Sequence, residues 1–431
     1  MKKYLVFIIC ILLVSFISCK DDPIVLPPTE DELARDALYN IMKTWYLWDK
    51  LMPEVKKEDY PDPFELLEAM RYRELDRWSY VQDYNEFMQQ SMAIFVGHGI
   101  RIGLDKDDKT RIAQIYSTAP MHEKGVRRGW IIKKLNDIEL APIFINDDMR
   151  AYSDLIGPSQ EGITNKFLFE MPNGKDTIIT DTKTIFTLNT VIHYDTLELK
   201  TGTTGHLVFE QFIVPSNKEL EQAFTFFSQN NINNIIVDLR YNGGGDLSVL
   251  QNLAAYIGGS SMFGKPFLTM KYNEQRKSQD RTLNFSSVPS PVNVGKMIVI
   301  TTRGTASASE DLINGLKPFM EIKTIGDRTN GKPVGMNVFR YQSEYMFLPI
   351  TFTLLNTDGE SDFYEGFVPE KYVPDDITRD WNNRNEACLK EAIELLESGS
   401  KSSKSEYTYR KTTIFSEESK RPDNAYLIDS Y

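Results

Sequence analysis

The sequence predicts an α/β core preceded by two smaller modules, and three observations predict it. The chain has 431 residues, which at roughly 100–200 residues per domain implies two to four domains. From about residue 185 onward, runs of Val, Ile and Phe alternate with helical stretches, the pattern of a layered sheet with parallel strands. Ahead of that point the periodicity changes twice, from helical spacing to strand alternation. Apolar residues at 41% and aromatics at 12% can fill a sizeable core, which excludes a disordered chain. The net charge of -12, with no clustered Lys or Arg, argues against a nucleic-acid partner.

The amino terminus reads as a targeting segment. Lys2 and Lys3 precede an apolar run over residues 4–17, too short to span a bilayer comfortably and right for a secretory signal. It ends in Phe16-Ile17-Ser18-Cys19 and then Lys20-Asp21-Asp22. This resembles a bacterial lipobox, which implies a signal peptide over residues 1–18 and a lipid on Cys19. The polar residues after the cysteine resemble the surface-export signal of Bacteroides-group lipoproteins. The implied location is the cell envelope, as an outer-membrane lipoprotein at the surface or otherwise at the periplasmic face. Residues 19–29, with Pro23, Pro27 and Pro28, form a linker off the membrane. Of three cysteines, Cys10 lies in the signal and Cys19 in the lipobox, so no disulfide framework is expected. Cys388 reads as helix packing, with no basic group beside it to make it a nucleophile.

Residues 30–92 have helical spacing in two segments broken by Pro53, Pro61 and Pro63, and no chemistry is expected there. Residues 93–184 form the second module. A loop at Gly97, His98, Gly99 and Ile100 enters a strand, residues 105–109 make a charged turn, and residues 111–116 return. Then Ala119-Pro120 to Gly125, and Gly129-Trp130-Ile131-Ile132 to Asn136-Asp137, read as a short helix, a glycine stop and an apolar strand. This text resembles a PDZ domain, departing from it at Trp130 and Asp137. The resemblance implies a groove that adds a peptide as an extra strand, with residues 97–100 cradling its carboxylate.

Within residues 185–398 the strands are expected at 205–211, 235–240, 297–302 and 322–325, and the helices at 217–230, 247–257 and 307–320. Residues 399–431, rich in Ser, Lys and Glu, are expected to be a polar, mobile tail. Two motifs stand at strand ends. Asp238-Leu239-Arg240-Tyr241-Asn242-Gly243-Gly244-Gly245 puts three glycines after a buried strand, a turn able to aim backbone N–H groups at an anion. It lacks the lysine of a phosphate loop and the spacing of a dinucleotide fold. Thr305-Ala306-Ser307-Ala308-Ser309-Glu310 opens a helix, and Ser307 with Glu310 also satisfies a capping box. Twenty-five residues beyond Ser307 lies Lys332, in Thr329-Asn330-Gly331-Lys332.

These motifs, their order and that separation resemble the S41-type carboxyl-terminal-processing serine peptidases. The resemblance spans residues 30–398 and implies a crotonase-like α/β core with an inserted PDZ domain and a small helical module. It implies that Ser307 is the nucleophile, Lys332 the general base, and the N–H groups of Ala308 and of Gly244 or Gly245 the oxyanion donors. The substrate would be a polypeptide tail, with no cofactor. Many relatives have a glutamine four residues after the lysine, and here that position is Met336. Either another acceptor such as Gln342 orients Lys332, or a dyad operates, or the chain is a catalytically impaired envelope lipoprotein that binds peptides. A polysaccharide-binding lipoprotein is a third reading, resting on the anchor and the aromatics.

A lysine base must be neutral, so its pKa must fall from about 10.4 to roughly 7–8. Val334, Met336, Val338 and Phe347 are candidates to line an apolar cleft that would do this. Histidine is the rival base. His98 and His122 fall in the second module, while His193 and His206 flank the turn at residues 201–205, leaving His206 as an alternative triad member. No His or Cys pair has ligand spacing in the linear sequence, so no metal site is expected.

Overall fold

A computed structural model describes residues 27–398 and the backbone of residues 414–416. Its central sheet has six strands: β1 (Val191–Leu199), β2 (Gly202–Phe209), β3 (Asn234–Asp238), β4 (Lys296–Thr301), β5 (Glu321–Gly326) and β6 (Lys371–Tyr372), in that spatial order. β1 and β2 form an antiparallel hairpin, and β2 to β6 run parallel. Parallel neighbours need crossovers. These include α1 (Ser216–Gln229), α2 (Leu247–Gly258) and α3 (Ala308–Leu316), which cover one face of the sheet. α4 (Ala387–Ser398) covers the other, where Cys388 packs with Ile236, Ile298 and Leu389. β3, Asn-Ile-Ile-Val-Asp, is buried throughout, as expected of a strand covered on both faces.

The segments between these elements build a second sheet that sequence periodicity did not expose. It runs Arg281–Asn284, Pro266–Tyr272, Ile350–Leu355, Val334–Met336. Its last strand starts two residues after Lys332 and pairs with Ile350–Leu355, with Val334 opposite Thr353. That pairing carries the lysine segment onto the core.

Residues 30–92 are not purely helical. Helices at Glu30–Trp45, Pro63–Met70 and Tyr84–Ser91 are joined by a strand, Tyr80–Asp83, that pairs with Tyr345–Leu348. Val81 lies opposite Phe347, and both belong to one apolar cluster with Val334 and Ile350. Burial against the core therefore overrides the helical pattern there.

Residues 94–187 leave and rejoin the body through a two-stranded neck, Ile94–Gly97 against Thr184–Thr187. The neck thus extends three residues past the expected boundary at 184. Beyond it, strands Ile100–Leu104, Thr110–Ile115, Ile131–Leu135, Thr164–Glu170 and Asp176–Thr182 form a sheet with its own apolar cluster. On its open edge, the backbone of Ile414–Ser416 pairs antiparallel with Ile100–Leu104. Part of the tail expected to be a mobile extension is therefore seated as a strand. Among the described residues, no helix is long and apolar enough to cross a membrane. Cys19 and the rest of the targeting segment lie outside the described residues.

Candidate active site

Because β3 and β4 are parallel neighbours, the loops leaving their carboxyl ends meet. Leu239 N–H donates to Ile300 O at 2.9 Å. The Thr305 hydroxyl donates to Leu239 O at 2.7 Å, and Ala306 N–H to Asn242 O at 3.1 Å. Buried Asn242 also donates to Phe209 O at 3.0 Å and accepts the Gly244 N–H at 2.9 Å. The strand end itself is fixed by Arg240, which pairs with Asp238 at 2.6 Å, Asp375 at 2.6 Å and Glu386 at 2.9 Å, all buried. Two motifs some sixty residues apart in sequence become one surface.

Ser307 stands at the head of α3, 7% exposed, with φ 55 and ψ -121. A non-glycine residue rarely adopts positive φ, and an ordinary helix cap is extended. Strain of this kind persists only where the surroundings hold it, and a sharp strand-to-helix turn presents a serine hydroxyl outward. Glu310 is what holds it. Its Oε2 accepts the Ser307 N–H at 3.1 Å and the Lys332 N–H at 2.8 Å. Its Oε1 accepts the Gly331 N–H at 2.7 Å and the Thr329 hydroxyl. The residue expected only as a cap is thus the clamp between the serine turn and the lysine turn. Burial pushes its pKa up to about 7, against the pull of those four donors.

Lys332 is 0% exposed. It follows Gly331, whose φ is 89 and where a Cβ would lie 2.1 Å from Tyr364 O, so glycine is required for the chain to approach so closely. Among the described residues its Nζ has no hydrogen-bond partner. Burial lowers its pKa from 10.5 to about 8, with Asp76, Glu310 and Asp311 pulling the other way. Ser307 and Lys332 line one cleft of about 480 Å³.

The amino-terminal module, expected to hold no chemistry, reaches this cleft. Phe87 lines it, Asp76 acts on the lysine, and Trp78 Nε1 donates to Asn330 Oδ1 at 3.2 Å. The strand at Tyr80–Asp83 ties the module there. Sequence reasoning also missed Asp311, one turn after Ser307, because an acid in the first turn of a helix reads as a complement to its dipole. Asp311 lines the cleft, is 1% exposed, and its Oδ1 has no hydrogen-bond partner among the described residues. Burial, reinforced by Glu310, holds its carboxyl well above the usual range.

Several expected roles need correction. Gly244 cannot supply a free N–H, since Asn242 accepts it. Its role is steric: φ is 105, and a Cβ there would lie 2.8 Å from Ser307 Cβ. The Gly245 N–H remains, because the bridge to Phe212 uses Gly244 O and Asp246 N–H. Ala308 opens α3, so its N–H belongs to the first turn, which has no intrahelical acceptor. Gln342 is exposed and donates to Glu30 at 3.1 Å, away from the lysine. Met336 and Val338 line the cleft, whereas Val334 and Phe347 pack into the cluster behind it.

Residues 97–100 are buried and do not form an open cradle. His98 is held inside its module by Asp181 at 2.6 Å and Asn165 at 2.7 Å, and a Cβ on Gly99 would strike Ala119. His206 and His193 do not line the cleft, so no histidine base reaches Ser307 through it. Cys388 is a buried free thiol under β4, packed as expected.

The family model for Peptidase family S41 matches residues 203–373, and that for the Peptidase S41 N-terminal domain matches residues 34–80, together half of the chain. A "Probable CtpA-like serine protease" of Staphylococcus epidermidis (strain ATCC 35984) is 21% identical over 381 residues, 85% of this chain and 72% of that protein. A "Carboxyl-terminal-processing protease" of Synechocystis sp. (strain PCC 6803) is 21% identical over 345 residues, 78% of this chain and 77% of that one. Among solved structures, a "Putative S41 protease from Bacteroides fragilis NCTC 9343" superimposes with a TM-score of 0.69 at 20% identity. It covers 84% of this chain and 97% of its own, a likeness of fold.

Proposed function

The chain belongs to peptidase family S41 and is a serine peptidase of the carboxyl-terminal-processing kind, and we propose that it acts through Ser307 and Lys332 in a crotonase-like core. One observation carries this reading: the only strained serine turn on the cleft shares it with a buried lysine amine that lacks any hydrogen-bond partner among the described residues. With a pKa near 8 the amine is neutral often enough to accept the hydroxyl proton. Ser307 Oγ then bonds to the substrate carbonyl carbon, and the N–H groups of Gly245 and Ala308 hold the oxyanion. Collapse breaks the C–N bond, and Lys332 returns the proton to the leaving amine. Water, deprotonated by the same amine, then releases the acyl group.

Asp311 takes the part that Met336 cannot. Burial favours its neutral carboxyl, whose carbonyl oxygen can accept an N–H from the amine without forcing it to charge. This supports turnover over the impaired, binding-only alternative.

Residues 94–187 act in this reading as a PDZ-like module that takes an extended peptide along Ile100–Leu104. Support comes from the edge of that strand, where Ile414–Ser416 already pairs in the antiparallel sense. The module would therefore grip by main-chain pairing along that strand rather than through a carboxylate cradle at residues 97–100, and the chain's own tail would compete with substrate. A lipid on Cys19 would tether the enzyme to the envelope. Cleavage of an unstructured polypeptide, followed by mass spectrometry, tests the catalytic assignment. Ser307→Ala and Lys332→Ala should each abolish it, and retained cleavage in either would reject the assignment. Deleting residues 399–431 should lower KM for an extended peptide, while an unchanged KM would reject competition by the tail.

A further inference from the structure

Away from the cleft, the β1–β2 hairpin brings together three side chains that the linear sequence kept apart. His193 and Asp195 are two residues apart on β1 and so point to one face. Asp195 lies directly opposite His206 on β2. His193 Nε2 is 3.3 Å from Asp195 Oδ2, and His206 Nδ1 is 3.5 Å from Asp195 Oδ1. One donor atom from each residue lies within 4.8 Å of the others, and the two imidazole rings are 5.5 Å apart.

The cluster is also unsatisfied. His193 Nε2, both ring nitrogens of His206 and Asp195 Oδ1 are buried without a hydrogen-bond partner among the described residues. Close approach to the carboxylate does not reach hydrogen-bond geometry. A buried polar atom without a partner is rare and calls for a reason, and His206 is 1% exposed with neither nitrogen bonded. His193 and Asp195 are only half-buried, which leaves a path for a small ion.

We propose that His193, Asp195 and His206 form a binding site for a first-row divalent cation such as Zn²⁺. Tetrahedral ligands about 2.0–2.1 Å from zinc sit about 3.3 Å from one another, close to the two separations in the hairpin. Two imidazoles and one carboxylate suit Zn²⁺ or Fe²⁺ rather than Mg²⁺ or Ca²⁺, and three protein ligands leave a position for water. The ion would staple the edge strand β1 to β2, satisfying one orphaned nitrogen of each imidazole. None of the three residues lines the catalytic cleft, so the site is separate from the peptidase chemistry.

Zn²⁺ titration of chelator-treated purified protein by calorimetry, with thermal melts alongside, tests this. One Zn²⁺ should bind per chain, and Tm should rise by several degrees when Zn²⁺ stands a hundredfold above Kd. Asp195→Asn and the half-exposed His193→Ala should each weaken binding at least tenfold, whereas Ser307→Ala should bind as the parent does. The His193 variant guards against His206→Ala simply failing to fold. Absence of stoichiometric binding, or binding unchanged in both hairpin variants, would overturn the site and leave two imidazoles sharing a carboxylate without an ion.

Discussion

Replacing Lys332 with Met should destroy activity and stabilise the protein at the same time. The amine is fully buried without a hydrogen-bond partner among the described residues, and burial lowers its pKa from 10.5 to about 8. That difference corresponds to about 3 kcal/mol by which the folded state disfavours the protonated lysine. Because the folded pKa of this base lies below the unfolded one, the penalty is fully present below pH 8 and fades between 8 and 10.5. A methionine of similar length carries no such penalty. Lys332→Met should therefore gain up to about 3 kcal/mol at pH 7, and progressively less as pH rises toward 10.5. Urea unfolding of parent and variant at pH 7 and pH 10 measures both. Peptide hydrolysis should meanwhile fall by about 10²–10⁴ or more, the usual worth of a general base. A variant that is less stable at pH 7 would refute the reasoning, because it would mean that Asp76, Glu310 and Asp311 hold the amine charged and well paired.

Further outcomes follow from the same geometry. Ser307→Gly should abolish hydrolysis yet raise stability by about 1–3 kcal/mol by relieving the positive φ, as read from thermal melts. Asp311→Asn, which keeps an acceptor in the cleft, should retain measurable kcat with a shifted pH profile. Asp311→Leu should lose kcat with little change in KM, and equal activity in the two variants would remove the positioning role. Gly244→Ala should cut kcat sharply, because its Cβ would crowd Ser307 at 2.8 Å. Wild-type activity in that variant would show that the loop can retreat.

Local text made some of this chain legible. Ser307, Lys332 and the glycine turn after β3 carry distinctive short motifs, and the strands and helices of the parallel core alternate clearly. What escaped notice depends on contacts far apart in sequence. Glu310 reads as a helix cap, and only tertiary packing reveals that it also accepts the Lys332 and Gly331 N–H groups. Gly244 and Gly245 look alike in sequence, but Asn242 consumes the N–H of the first. The strand at Tyr80–Asp83 is short and sits among helices, and its identity comes from a partner more than 260 residues away. His193, Asp195 and His206 have no ligand spacing until a hairpin folds them onto one face.

The most direct test is labelling with a fluorophosphonate, followed by mapping of the modified peptide across a pH series. The serine–lysine assignment predicts a single adduct on Ser307. Its rate should climb tenfold per pH unit below about 8, level off above it, and disappear in Lys332→Met. An adduct on another serine, or labelling of Ser307 that survives loss of the lysine with the same pH dependence, would contradict it.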